Sequence, residues 1–463
     1  MGLMNISWLL QFLIFLYPAL FVIYQMFLYR IANNTINSDY MEVKNYPFLS
    51  IIVPTKGEKI SVIQGLIKNI SELIWDKDKM EVIIVSDDTE EYFNEIKRNL
   101  VIPEGLKVYL YRREKKLGYK SGALLYGYER SRGELVLTID VDSRLQKDAL
   151  IKAYSRMITN NCDAVALQWV GYSENTYSKL AKGIMASTFF ASKALFEGKE
   201  KMHLTVFPVG SGTLFRRDAL ESVGGWDYKI IQDDLEIGTR LVYKNKKICS
   251  SGVPIYIEVP DNFFSFYIQQ TRWAMGTGEV IRNRLRYIIT AKVSLLKKID
   301  MLFHLLQYTP ILFTFIGSMV LVVLAPFINY DPLKTPLFLF WGIVLGLYAY
   351  VIYEVAIKLG FRRRDAIFSL GRVSGFTVAI SPFIFYYFLK GLLSKRKTYI
   401  ITPKGGNKAS KQYRTIISIG LLGIIYTLAV IIYLLHQNYF TSLWLAYYSS
   451  GFLYTLLTFN KEL

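Results

Sequence analysis

Four clusters of polar residues have the types and spacing to do chemistry. Asp87-Asp88 and Asp140-Val141-Asp142 each follow a β-branched run of strand length. Two aspartates spaced by one residue at a strand end project into the same crevice, and hard oxygen ligands suit Mg²⁺ or Mn²⁺ bridging a diphosphate. Such a cation neutralises a departing nucleotide diphosphate. A lone D-x-D is otherwise a solvated turn, and its position after a buried strand favours the ligand role. The third cluster, Gln232-Asp233-Asp234-Leu235-Glu236, opens a helix-like stretch. Its acids either complement the helix dipole or supply a general base that takes a proton from an attacking hydroxyl. Beside it lie Gly210-Ser211-Gly212-Thr213 and Gly224-Gly225-Trp226-Asp227. The glycines let a backbone approach an acceptor, and the Trp226 ring could stack on a sugar face. The fourth cluster is Gln269-Gln270-Thr271-Arg272-Trp273. Arg offers a planar fork for phosphate and Trp a flat apolar wall, or the pair anchors an interfacial helix.

The elements that must position these groups alternate. Residues 48–55, 80–87, 106–111, 134–142 and 164–170 are strand-like, while 59–75 and 122–130 have helical apolar spacing. Alternation predicts an α/β, Rossmann-like, mostly parallel sheet, with ligands beyond the carboxyl ends of its strands.

The whole chain does not fit such a domain. It has 463 residues, 52% of them hydrophobic and 20% charged, with a formal net charge of +18. That composition excludes disorder, collagen and coiled coil and predicts a lipid-embedded part joined to a water-soluble one. Two cysteines cannot make a disulfide framework or a cysteine-rich metal site. Runs long enough to span a bilayer lie at 9–28, 308–328, 336–357, 416–435 and 443–459. The first lacks a basic leading segment and a small-residue cleavage site, which predicts a retained anchor. Residues 368–389 form a sixth run with basic flanks on both sides. The positive-inside rule and the Gly, Pro and Ser content predict a bent segment in the cytoplasmic interface there, with a true sixth span as the alternative.

In order along the chain, Asp87, Asp140-Val141-Asp142, Gln232-Asp233-Asp234 and Gln269–Trp273 resemble the D, DxD, (T/E)ED, QxxRW signature of the membrane-embedded family 2 inverting glycosyltransferases, the group of cellulose, hyaluronan and mannan synthases. Tyr399-Ile400-Ile401-Thr402-Pro403-Lys404 is similar to the gating loop of the cellulose synthase branch. The resemblance implies a cytosolic GT-A domain at 46–262 behind an N-terminal transmembrane helix at 1–35. Amphipathic interfacial helices at 263–300 and two transmembrane helices at 301–357 would follow. An interfacial segment at 358–392, a gating-loop-like segment at 393–414 and two transmembrane helices at 415–463 would complete a multi-pass cell-membrane protein.

By the same resemblance, Thr55, Glu58 and Asp87 line a nucleoside pocket, Lys120 and Asp140 hold the donor, Asp142 binds the metal and Asp234 is the base. Gln269 and Arg272 contact the diphosphate, Trp273 stands with Gly212 and Trp226 on the acceptor side, and Thr402 and Lys404 close over nucleotide. The chain departs from the pattern at Val53-Pro54-Thr55, at Asp88-Thr89 and at Gln232-Asp233. None of these departures removes a group that the chemistry needs.

The function implied is a processive polysaccharide synthase that uses a nucleotide diphosphate sugar, UDP-linked by preference, and feeds a β-linked glycan into a channel between its own spans. The alternative transfers one sugar to a lipid acceptor, as ceramide glucosyltransferases do. A transporter or nucleic-acid-binding protein would leave the four ordered motifs as coincidence. The largest acid-free basic stretch lies in 390–414, so nucleotide and membrane lipid, rather than nucleic acid, are the partners that the charge implies.

Overall fold

The computed structural model describes residues 2–32, 45–394 and 412–460. Its sheet has eight strands: β1 (Leu49–Thr55), β2 (Met80–Ser86), β3 (Lys107–Arg112), β4 (Leu135–Thr138), β5 (Arg144–Leu145), β6 (Ala164–Tyr172), β7 (Thr213–Arg216) and β8 (Ile248–Glu258). Their spatial order is β3-β2-β1-β4-β7-β6-β8-β5. Strands β1 to β4 pair parallel, β7 runs antiparallel to both its neighbours, and β6 and β8 are parallel. Strands β1 and β2 are buried at nearly every position, as a layer covered on both faces requires.

The helices between the early strands are α3 (Ile60–Ser71), α4 (Glu90–Asn99), α5 (Tyr119–Tyr128) and α6 (Ala149–Thr159), following α1 (Gly2–Gln11) and α2 (Tyr17–Ala32). Helix α3 buries Ile63, Leu66, Ile67 and Ile70, the stripe that a 3.6-residue period sets against a sheet. The mostly parallel α/β layer is as expected. Strands β7 and β8 add to it; one is four residues long, and the other contains Gly252 and Pro254, which weaken a strand signal. Cys162 and Cys249 form a disulfide at the entrances of β6 and β8, with Cα atoms 6.0 Å apart.

Beyond β6 come α7 (Lys179–Ser192), α8 (Lys199–Lys201), α9 (Arg217–Glu221), α10 (Asp233–Tyr243), α11 (Phe263–Thr290), α12 (Leu295–Leu305) and α13 (Thr309–Leu324). The chain continues through α14 (Pro336–Lys358), α15 (Arg363–Leu393), α16 (Tyr413–Leu435) and α17 (Tyr439–Thr458). Among the described residues, Ser7–Ala32, α14, α15 and α16 are long and apolar enough to cross a membrane. Helices α12 and α13, bent by 56°, make a fifth candidate if they count as one span. Four of the expected runs fall on these elements. The run at 443–459 becomes α17, which is less apolar and buries Thr441, Ser442, Ser449 and Thr455; Ser449 bonds Thr427 of α16 at 2.7 Å.

The run at 368–389 stays helical through its glycines and proline. It is part of α15, a continuous helix of 31 residues. Pro382 leaves the Val378 carbonyl without its helical donor, and the Ser381 hydroxyl donates to that oxygen at 2.7 Å.

Helices α11 and α15 pack backbone to backbone. A Cβ at Gly278 would run into the Phe388 carbonyl, and one at Gly391 into the Met275 carbonyl. Small residues permit such closeness between helices. Gly391→Val should therefore lower stability by at least about 1–3 kcal/mol, the usual penalty for overpacking. Gly342→Ala, where a Cβ meets nothing within 4 Å, should leave the melting temperature unchanged. Thermal unfolding of the detergent-solubilised chain checks both, and equal melting of the two variants would contradict the packing.

Candidate functional site

Strands β2, β1 and β4 are neighbours, so the residues leaving their carboxyl ends converge. Thr55 is buried, and its hydroxyl has no hydrogen-bond partner among the described residues. Asp88 accepts from the Gly57 amide at 2.6 Å and the Ser86 hydroxyl at 2.7 Å, while Glu58 receives the Tyr92 hydroxyl on its main-chain oxygen. Asp87 is held in a buried two-bond ion pair by Arg113, at 2.7 and 2.6 Å. Arg113 also donates to the carbonyls of Leu117 and Tyr119, which fixes the turn into α5. Gly118 opens that helix at φ +72°, and a Cβ there would collide with the Tyr228 backbone. Sequence reasoning missed Arg113, because a basic run reads as a solvated face.

The turn delivers Lys120 to the centre of the site. Its ammonium lies 2.7 Å from Asp140, 2.7 Å from the Gly210 carbonyl and 3.8 Å from Asp233. The Gly210 amide donates to Asp234 at 3.1 Å, and the Leu235 amide donates to the other oxygen of that carboxylate at 2.7 Å. A Cβ on Gly210 would stand 3.2 Å from the ammonium, so a side chain would crowd the group that this backbone holds. Burial pushes both carboxyls above the usual range. For Asp233, to about 7, burial outweighs the opposing Lys120 charge, and Asp234 and Asp140 add repulsion. For Asp234 the amides and Lys120 oppose the rise without cancelling it.

Helix α10 carries these aspartates in its first turn and is clamped from behind. Glu236 takes Arg240 from its own helix and Arg284 from α11, and Arg284 also bonds Asp227. The Ile231 amide, just before the acidic cluster, donates to Glu279 of α11 at 2.8 Å. A Cβ on Gly276 would lie 2.6 Å from the Gln232 side chain, so α11 is glycine where it passes this segment.

These parts enclose a cavity of about 310 Å³. Lys120, Asp140, Gly210, Asp233 and Asp234 form one wall; Gln269, Gln270, Arg272 and Trp273 from α11 form another. Trp169 of β6 faces Trp273 with ring centroids 6.4 Å apart, and its indole donates to the Ser211 carbonyl. The lining also includes Ile184 and Ser187 of α7 and Val373 and Thr377 of α15. Glu258, at the end of β8, is a wall residue that the motifs did not flag.

Asp142 is 2% exposed and does not line the cavity. Its main-chain oxygen accepts the Tyr172 hydroxyl at 2.6 Å. No group of three or more His, Cys, Asp and Glu residues among those described could hold a metal. Asp140 turns toward the cavity and supplies the right kind of oxygen for a hard cation, while the Asp142 side chain is buried outside the cavity lining, so the two do not share one crevice wall as the strand-end spacing predicts.

Two expectations on the acceptor side are corrected. Trp226 is 3% exposed and meets Tyr128 and Phe215 edge-on at 6.0 and 5.7 Å, so it fills the core between α5 and the sheet and offers no face to a sugar. Gly212, at φ +93°, is built into the sheet. Its amide donates to Thr138, its carbonyl accepts from Leu167, and a Cβ would lie 2.8 Å from Ile255. Its neighbours Gly210 and Ser211 reach the cavity instead. Thr402 and Lys404 lie outside the described residues.

Comparison with known proteins bears on the family and the fold. The family model for "Glycosyl transferase family group 2" matches residues 135–353. The chain is 57% identical, over the full length of both, to a probable glycosyltransferase of Sulfolobus acidocaldarius. It is 25% identical to probable glucomannan 4-beta-mannosyltransferase 1 of Arabidopsis thaliana, over 55% of this chain and 47% of that protein. It is 28% identical to a beta-monoglucosyldiacylglycerol synthase of a Nostoc species, over 56% of this chain and 55% of that protein. The chain thus spans about half the length of these last two relatives. In structure, a mannosyltransferase of Pyrobaculum calidifontis in complex with GDP-Man and Mn²⁺ shares the fold, with TM-score 0.57 and 17% identity, over 84% of this chain and all of that one.

The two tryptophans should separate on substitution. Trp226→Ala should cost about 3–5 kcal/mol of stability, as aromatic deletions from a core do, with transfer per folded molecule kept. Trp273→Ala should melt near the wild type yet lose transfer. Unfolding curves and activity at equal folded concentration test this, and the reverse pattern would overturn the correction.

Proposed function

Because the chain belongs to the family 2 glycosyltransferases, we propose that it moves a hexosyl unit with inversion from a nucleotide diphosphate sugar to an acceptor hydroxyl brought from the membrane side. The supporting observation is the single cavity that Asp140, Asp234 and the Gln269–Trp273 segment share. Lys120 and Arg272 bind and neutralise the donor's diphosphate, and Thr55, Glu58 and Asp87 lie on the nucleoside side. Asp140 would offer a carboxylate ligand to Mg²⁺ or Mn²⁺, which would stabilise negative charge on the leaving diphosphate, and the sequence-expected Asp142 would join it only if its buried side chain turned toward the cavity. Asp234 holds a carboxylate oxygen ready for the proton of the acceptor hydroxyl. As the acceptor's hydroxyl oxygen bonds to the anomeric carbon, the bond to the diphosphate breaks, the hydroxyl proton passes to Asp234 and an α-linked donor gives a β-linked product. Trp169 and Trp273 present flat apolar rings to a sugar acceptor.

The product proposed is a growing β-linked glycan, exported between the chain's own spans with the catalytic domain cytosolic. The paired tryptophans and the polar Gln269, Gln270 and Glu258 favour a sugar over a hydrocarbon. A second reading, one sugar added to a membrane lipid, is favoured by the apolar Ile184 and Val373 among the lining residues from α7 and α15. The purified chain, given UDP- and GDP-linked sugars with Mn²⁺, should release nucleotide diphosphate. Product size then separates a polymer from a single glycolipid, and no release with any donor would refute transfer.

Asp234→Asn should bind nucleotide normally and lose at least about 10²–10⁴-fold in turnover, the usual worth of a general base. Near-normal turnover would remove Asp234 from the role. The pH profile carries the same signature. The base works only ionised, so a raised carboxyl value moves the acid limb upward. Turnover should therefore begin to fall at a higher pH than the ~3.9 at which an ordinary aspartate protonates. Full activity at pH 4 would contradict the burial.

A further inference from the structure

A second cavity, of about 580 Å³, lies outside the catalytic one and shares no residue with it. Arg156, Lys201, Lys246, Lys247 and Lys297 line it, with His203 and Asn245, against a single carboxylate, Glu200. The nearby acids are committed. Glu200 pairs with Arg156 at 3.2 Å and also accepts the Ser250 amide, and Asp163 pairs with Lys246 at 3.2 Å. Arg156 and Lys246 are balanced by these acids and Asp218, so the net positive charge around the void comes from Lys201, Lys247 and Lys297, and an anion with several oxygens relieves their mutual repulsion best.

The void also has a place relative to lipid. Lys201 donates to the carbonyls of Ile31 and Ala32, the last residues of the membrane-length segment Ser7–Ala32. Lys297 comes from α12, the first member of the bent candidate span. Beside it Leu295 and Leu296 are 72% and 71% exposed, and Ile299 and Ile289 are also exposed. Large apolar side chains next to lysines are the pattern of a surface that enters the headgroup layer.

We infer that this cavity is a seat for the phosphate-bearing headgroup of an anionic membrane lipid, separate from the donor and acceptor sites. Lys247 and Lys297 reach its phosphate, and the exposed leucines of α12 meet the acyl boundary. The placement rests on the membrane reading above, while the binding itself requires no sugar transfer.

The test uses the full chain in neutral detergent, titrated with dihexanoyl phosphatidic acid, dihexanoyl phosphatidylcholine or inorganic phosphate, with binding followed by native mass spectrometry. The wild type should hold the phosphatidic acid in preference to both controls. Lys247→Glu/Lys297→Glu should weaken that binding by about tenfold or more, since each lysine near an anionic surface is worth several-fold. The milder Lys247→Gln/Lys297→Gln serves if the first variant misfolds, with the melting temperature as the folding control. Equal binding of phosphatidic acid by variant and wild type overturns the site. Inorganic phosphate bound as tightly as the lipid overturns the lipid assignment in favour of a free phosphate. A chain that holds the lipid but transfers no sugar fails the proposed function alone.

Discussion

The site depends on one ammonium group among three carboxylates. Asp140, Asp233 and Asp234 converge where water is scarce, and like charges in such a place raise each other's energy steeply. Lys120 offsets part of that repulsion from 2.7 Å at Asp140 and 3.8 Å at Asp233. Much of the surrounding backbone serves its position. Gly118 permits the left-handed entry to α5, Arg113 holds the preceding turn, and Gly210 offers its carbonyl without a side chain in the way. One positive charge does not balance three negatives, so the pocket has an electrostatic appetite for cationic charge. Arg272 on the facing wall goes some way to meet it.

The carboxylates are not held by the sheet alone. Glu236 and Glu279 tie the acidic cluster to α11, and α11 lies against α15 at Gly278 and Gly391. Helix α11 therefore joins the segment that carries Asp234, the Gln269–Trp273 segment and a membrane-length helix in one chain of contacts. A displacement of α15 would move the wall that faces the donor. In a transferase acting at a bilayer, this couples the state of the helix bundle to the geometry around the reacting atoms.

Asp140, the acidic cluster and the α/β layer were legible in the sequence because their signals are local, in β-branched runs, strand-end aspartates and fixed short spacings, whereas Lys120 came only with the family resemblance and the burial of Asp142 was not foreseen. Residues whose role depends on distant partners were not. Arg113, Glu279 and Glu258 look like ordinary surface charge until the fold brings Asp87, Ile231 and the cavity beside them. Trp226 misled in the opposite sense, since an aromatic after two glycines suits a sugar platform and a core equally, and only the closure of Tyr128 and Phe215 around it decides. In α15, glycines, serines and a proline predicted a bent segment, and the chain stays helical through them. One of those serines repairs the hydrogen bond that the proline removes, a compensation no composition count detects.

The Cys162–Cys249 bridge ties residues 87 positions apart at the entrances of β6 and β8. By loop-closure entropy, a tie of that length is worth roughly 4–5 kcal/mol against the unfolded chain. With the catalytic domain facing the cytosol, as proposed, a host whose glutathione keeps thiols reduced would deny the fold that increment. Protein disulfides do persist inside hyperthermophiles. The bridge thus bears on where the enzyme can be produced as much as on how it works: a reducing expression host would yield a chain of the right sequence without one of its covalent bonds.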